Sequence, residues 1–173
     1  LAGAVALPVD GPAWQAMRLS RNRNWGHPKL VKLVEKLATT AQKEDSWPGL
    51  LVGDISQPRG GTMLTGNASH QLGLDADVWL TPMPDRKLTR KECEEISATS
   101  MLDKTDLAVD PAVFTEKHVK LIKRAASFPD VERVLVHPAI KKALCQAAGT
   151  DRGWLGKVRP IQGHYYHFHI RIG

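Results

Sequence analysis

Cysteine is scarce in this chain: Cys93 and Cys145 are the only two, they lie far apart, and no C-x-x-C pair occurs. That excludes a thiolate metal ribbon and a scaffold held by several disulfides. The two could join each other in an oxidising compartment or stay as separate thiols, one of them buried, and their spacing does not choose between these. Also missing are an internal repeat and any apolar run approaching the roughly 20 residues that a transmembrane helix needs. The helical H-E-x-x-H pattern of one zinc peptidase class is absent too. Acidic residues are the minority charge, 18 against 24 Lys and Arg, for a formal net charge of +6. Such a balance suits nucleic acid, an anionic surface or an acidic polymer such as a cell wall. Nucleic acid is the poorest of these. Lys29, Lys32 and Lys36 fall on one expected helix, Lys117, Lys120, Lys123 and Arg124 on another, and Lys141 and Lys142 on a third, with no interleaved aromatic platform, which is the pattern of solvated helix faces.

What is present is enough apolar material for one sizeable core: 173 residues, 42% hydrophobic and 24% charged, expected to form a single domain. The chain starts at Leu1, and Ala2 to Leu7 is a short apolar stretch before Pro8, so the N-terminus is expected to be processed or trimmed, with no complete signal peptide in this chain.

The histidines are the distinctive feature. His164-Tyr165-Tyr166-His167-Phe168-His169-Ile170-Arg171 crowds three imidazoles into a segment with the alternation of a β-strand. Alternate residues share a face, so His167 and His169 project together, roughly 7 Å apart. His164 has the opposite parity and is expected on the loop after Gly163. Upstream, His70 precedes Asp77 in an H-x6-D arrangement with Gly73 between them for backbone freedom. The run Asp75 to Leu80 alternates as a strand, with Asp75, Asp77 and Trp79 on one side and Ala76, Val78 and Leu80 on the other. Two imidazoles and a carboxylate around an open position form a common catalytic zinc site, in which a bound water becomes acidic and a carbonyl is polarised. His70, Asp77 and His169 would make that set, with His167 as candidate base. Spacing alone also allows His167 as the ligand and His169 as its neighbour. Asp75, on the face of Asp77, could orient a ligand histidine.

Elsewhere the pattern predicts a helix starting at Pro28 and carrying Leu30, Val31, Leu33, Val34 and Leu37, and a short strand over Leu50 to Val52. A capping box at Thr89 to Glu92 follows, then a helix over Pro111 to Ser127, a strand over Val131 to Val136 and a helix over Pro138 to Ala148 ended by Gly149. His27 and His137, each before a proline at an element boundary, are expected to be structural, and His118 to be a solvated helix residue. Without a regular β-α-β cadence, this order favours α+β: a small central antiparallel sheet flanked by helices and long loops.

Together, the H-x6-D and the terminal H-x-x-H-x-H resemble the penicillin-insensitive murein endopeptidases, of the superfamily of lysostaphin, the D-alanyl-D-alanine metallopeptidases and the hedgehog signalling domain. Trp25-Gly26-His27-Pro28, Gly53-Asp54-Ile55-Ser56 with Gly60-Gly61, His137-Pro138-Ala139-Ile140-Lys141, and Gly149-Thr150-Asp151-Arg152 through Val158-Arg159-Pro160 are similar to that family's sequence in the same order, from about Trp14 to the end. The resemblance implies that His70, Asp77 and His169 bind Zn2+. It further implies that His167 is the general base and that His164 stabilises the oxyanion or shuttles the proton. Residues 1–173 would be the catalytic domain of a periplasmic metallopeptidase hydrolysing the D-alanyl-meso-diaminopimelyl cross-links of peptidoglycan. Some relatives carry a histidine where Asn67 stands and continue past the position of Gly173 with a cysteine-containing tail. Asn67 and Arg171 are the candidate substrate contacts. The alternatives are a D-alanyl-D-alanine carboxypeptidase or dipeptidase on the same metal set, or a non-catalytic zinc-binding module for wall recognition, which would need the ligands but neither His164 nor His167.

Overall fold

The computed structural model describes residues 1–64 and 69–173. A six-stranded sheet organises them in the order β2-β4-β5-β8-β6-β7, where β2 is Trp14–Ala16, β4 Leu50–Val52, β5 Asp75–Trp79, β6 Val131–Val136, β7 Val158–Pro160 and β8 His167–Ile172. The inner pairings β4-β5, β5-β8 and β8-β6 are antiparallel, as expected. The two outer pairings, β2 with β4 and β6 with β7, are parallel, a finding that strand patterning did not predict. A separate two-stranded ribbon joins β1 (Val5–Ala6) to β3 (Trp25–Gly26). The architecture is α+β.

Alternation along the two central strands gives the sheet two different faces. Ala76 and Val78 of β5, with Phe168 and Ile170 of β8, are fully buried on one side, in the main core beneath α1 (Pro28–Asp45), α3 (Glu116–Ser127) and α4 (Pro138–Ala147). Helix α1 presents Leu30, Val31, Leu33, Val34, Leu37, Ala38 and Ala41 to that core at the three- and four-residue spacing of an amphipathic helix. The other face carries Asp75, Asp77, Trp79, His167 and His169. Part of it is covered by a smaller cluster of Met17, Leu51, Trp79, Leu88 and Cys93 beneath α2 (Arg90–Glu95). Thr89 and Glu92 close the expected capping box on α2.

Both histidines preceding a proline are structural. The Nδ1 atoms of His27 and His137 accept the backbone N–H groups of Lys29 and Ala139, at 3.1 and 3.0 Å, and so cap α1 and α4. Cys93 and Cys145 are both free thiols, Cys93 buried. Two expectations need correction. Helix α3 begins at Glu116 instead of Pro111, because the Asp110 carbonyl takes the Val113 and Phe114 N–H groups in a tight turn and the extended Thr115 restarts the chain. His118 is buried, not solvated: it precedes Leu121 and Ile122 on the apolar face of α3, three and four positions on. Its Nδ1 accepts the Thr115 N–H at 3.1 Å, its Nε2–H donates to the Leu80 carbonyl at 2.9 Å, and its ring lies against Trp47 and Phe114.

Burial holds the His118 pKa below its ordinary 6.5, partly opposed by the Leu80 carbonyl. The unfolded chain therefore takes up a proton near pH 6.5 that the folded protein refuses. Its contribution to stability is present above about pH 6.5 and is lost as the pH falls toward the lower folded value. Denaturant midpoints at pH 7.5 and 5.5 should accordingly differ more for the wild type than for His118→Gln. An equal pH response in the two would contradict this assignment.

Candidate metal centre

Three segments deliver the site. Asp77 sits mid-strand on β5 and is paired directly with His169 on β8, while Trp79 pairs with His167 and Asp75 with Arg171. Because facing residues of an antiparallel pair bring their Cβ atoms to about 5 Å, this register puts the carboxylate and the imidazole within reach of one atom. His70 arrives from the β4-β5 connection, which Gly73 turns with φ +70°. The Gly73 carbonyl accepts the His27 N–H at 2.9 Å, and a Cβ at Gly73 would lie 2.5 Å from Leu1 Cδ2 and 3.2 Å from Gly26 Cα. Glycine is required there on both counts. Gly53 is constrained by space alone: a Cβ would lie 2.9 Å from Trp79 Nε1 and 3.4 Å from the Asp77 Cβ.

The hydrogen bonds around the two ligand candidates decide which nitrogen each can offer. His70 Nδ1 lies 2.7 Å from the Ile55 carbonyl, which can only accept, so the proton is on Nδ1 and the Nε2 lone pair points inward. His169 Nε2 lies 2.6 Å from Asp75 Oδ1, which leaves Nδ1 as the inward atom. Asp75 is itself held by Arg171 through its other oxygen, at 2.8 Å. His70 Nε2, His169 Nδ1 and His167 Nε2 stand 3.3, 3.4 and 3.5 Å from Asp77 Oδ1. Yet Asp77 Oδ1 and His70 Nε2 are buried without a hydrogen-bond partner among the described residues. These atoms converge on a common space without bonding one another, an arrangement that is costly unless something fills it. One donor atom each from His70, Asp77 and His169, all within 4.8 Å of one another, could hold a metal ion.

The electrostatics fit a cation. Burial alone would raise the Asp77 carboxyl, but His169 and His70 outweigh it and hold Asp77 well below the usual carboxylate range. Burial lowers His169, but Asp75 and Asp77 overcome it and push the pKa up to about 9. The site thus stores a proton on His169 that an incoming metal ion would displace. For His167, burial wins over the attraction of Asp77 and brings the pKa down to about 4, leaving the ring neutral at pH 7. His164, on the loop before β8 as its parity predicted, is also lowered by burial, and its ring centroid is 5.0 Å from that of His167 and 6.0 Å from that of His169. His167 Nδ1 is buried without a partner among the described residues. Metal-binding histidines almost always donate their second N–H to a carbonyl or carboxylate. His70 and His169 do so, and His167 does not.

Beside these groups opens a cavity of about 310 Å3 lined by Asp77, Trp79, His167, Tyr165, Tyr166, Ser97 and two arginines, Arg18 and Arg21. Tyr165, 41% exposed, stands at its mouth. The Arg171 guanidinium is engaged by Asp75 and by Glu132 at 3.8 Å, behind His169 and outside the cavity lining. Asn67 lies outside the described residues. Sequence reasoning did not single out Arg18, Arg21 or the Arg21-Asp54-Arg23 ion-pair cluster, in which Asp54 Oδ2 receives both guanidinium groups at 3.2 and 2.8 Å. The Gly53-Asp54 step was the available signal, since its carbonyl and amide bond the Asp77 backbone on either side.

If Asp75 fixes His169 for a metal ion, Asp75→Asn should weaken zinc affinity by about 10- to 100-fold, measured by competition against a chromophoric chelator. Unchanged affinity would remove Asp75 from the centre.

The family model described as penicillin-insensitive murein endopeptidase matches residues 1–173. Proteins of that name from Haemophilus influenzae, Pectobacterium atrosepticum and Klebsiella pneumoniae are 46%, 40% and 38% identical to this chain, over 98%, 98% and 99% of its length. The alignments cover 59%, 60% and 62% of those relatives, so the chain spans about three fifths of the curated proteins it matches. The family model over residues 1–173 and these identities show that the chain belongs to the penicillin-insensitive murein endopeptidase family.

Proposed function

We propose that residues 1–173 act as the catalytic domain of an exported, periplasmic zinc peptidase that hydrolyses the D-alanyl-meso-diaminopimelyl cross-links of peptidoglycan. The observation that carries the reading is the set of inward ligand atoms, His70 Nε2, Asp77 Oδ1 and His169 Nδ1, the two ring atoms fixed by partners behind each ring and the carboxylate oxygen buried without a hydrogen bond among the described residues. Two imidazoles, the His169 proton displaced on binding, with one carboxylate suit zinc better than magnesium or calcium, which prefer oxygen. When bound, the ion supplies Lewis-acid polarisation of the scissile carbonyl and acidifies a water.

The protein's own groups do the rest. His167, neutral at physiological pH and on the cavity wall, is placed to take a proton from the attacking water and return it to the departing amine. Asp77, close to His167 Nε2, favours the imidazolium formed on the way. His164 stands beside His167 with its Nδ1 3.2 Å from the Gln162 carbonyl, placed to shuttle the proton or, once protonated, to donate from Nε2 to the developing oxyanion. Tyr165 and Tyr166 flank the cavity where a peptide stem would lie. Among the described residues no helix is long and apolar enough to cross a membrane, and the net charge of +6 suits an anionic wall polymer.

Digestion of defined cross-linked muropeptide dimers, read by mass analysis, tests this. Dimers should be converted to monomers, with activity abolished by a chelator and restored by zinc. His167→Ala should keep its zinc and lose about 10²- to 10⁴-fold in kcat, whereas His169→Ala should lose both. Chelator-resistant cleavage would overturn the metal assignment. Release of D-alanine from monomers with dimers left intact would identify a trimming carboxypeptidase instead.

A further inference from the structure

Arg18 is built into the cleft in a way that capping a helix does not require. It lines the same cavity as Asp77, Trp79 and His167. Its Nη1 and Nη2 donate to the Cys93 and Ile96 carbonyls at 3.2 and 2.8 Å, and its guanidinium carbon lies 5.2 Å from the centre of the Trp79 ring. A guanidinium held by backbone acceptors and an aromatic ring is immobilised before any ligand arrives, so little entropy is lost on binding. The backbone adds to this. Arg18 adopts φ 53°, a left-handed conformation unfavourable for a non-glycine residue, and its own N–H is tied to the Cys93 carbonyl at 2.9 Å.

The second observation is the charge balance. The other cleft arginine, Arg21, pairs with Asp54, as does Arg23 behind it. Elsewhere Arg86 pairs with Glu92, Arg124 with Asp45 and Arg171 with Asp75. Arg18 has no carboxylate within ion-pair distance among the described residues. Glu94 feels its charge, but both Glu94 oxygens are taken by the Ser20 N–H and hydroxyl. A guanidinium carries more N–H groups than two carbonyl bonds use, and its fork geometry matches a carboxylate.

We propose that Arg18 forms a carboxylate-binding subsite that anchors a free carboxylate of the wall peptide beside the scissile bond. The inference rests on the reading of the cleft as a wall-peptide site. It gives the enzyme a means of selecting stems by their free acid groups, and stems whose acid is amidated would be poor ligands.

The test uses a cross-linked stem-peptide dimer whose scissile amide is replaced by a methyleneamine, together with versions in which each free carboxylate is converted in turn to the carboxamide. Binding to the zinc-loaded full chain is measured by calorimetry, and hydrolysis of the natural dimer is measured alongside. One carboxamide version should bind the wild type about 10- to 100-fold more weakly than its parent. Arg18→Gln should bind parent and carboxamide equally, near the wild-type affinity for the carboxamide. If Arg18→Gln fails to fold, Arg18→Lys, which keeps the charge and loses the fork, should cut the discrimination severalfold. Equal binding of every version by the wild type, or full discrimination in Arg18→Gln, would overturn the subsite even where natural dimers are cleaved. Discrimination without cleavage would overturn the endopeptidase reading and leave the subsite standing. No binding of any version would overturn both.

Discussion

The antiparallel register of β5 against β8 is the constraint on which the rest depends. Placing Asp77 opposite His169 and Trp79 opposite His167 puts one carboxylate and two imidazoles on one face, and Ala76, Val78, Phe168 and Ile170 in the core on the other. Since the strand period is two, a slip by one residue would bury Asp77 and the histidines in the apolar core and expose the core residues. The apolar side therefore holds the polar side in place. The penalty for burying Asp77 or His169 in a slipped register is far larger than any gain available from the alternative pairing.

Around that pairing, the site is tuned by groups that touch no substrate. The Ile55 carbonyl and the Asp75 carboxylate fix which nitrogen His70 and His169 turn inward, and Arg171 holds Asp75. His169 is the basic imidazole of the cluster and His167 the weakly basic one, although both lie on one strand two residues apart. Asp75 lies behind His169, and nothing comparable lies behind His167. Two chemically identical side chains acquire different roles from their partners alone.

Much of this was legible in the chain itself. Period-two alternation placed Asp75 with Asp77 and His167 with His169, parity kept His164 off the strand, and prolines marked the starts of α1 and α4 with a structural histidine before each. Spacing treated His167 and His169 alike, because what separates them is a partner 94 positions away from His169. The Ile55 carbonyl has no sequence signature, since every residue has a carbonyl. The Arg18 environment joins residues 18, 79, 93 and 96, and only the fold makes them neighbours. His118 was misjudged by weighing its polarity over its position, three and four residues before Leu121 and Ile122 on the buried face of α3. The parallel outer strands rest on long connections whose direction local pattern does not encode.

The most direct test of the account is a crystal structure of the zinc-soaked protein, with anomalous scattering recorded at the zinc edge. The account predicts one strong peak coordinated by His70 through Nε2, Asp77 through Oδ1 and His169 through Nδ1, with Asp75 still bonded to His169 Nε2 and His167 outside the ligand set. A peak bound by His167 in place of His169, or by His169 through Nε2 with the Asp75 bond broken, would contradict it.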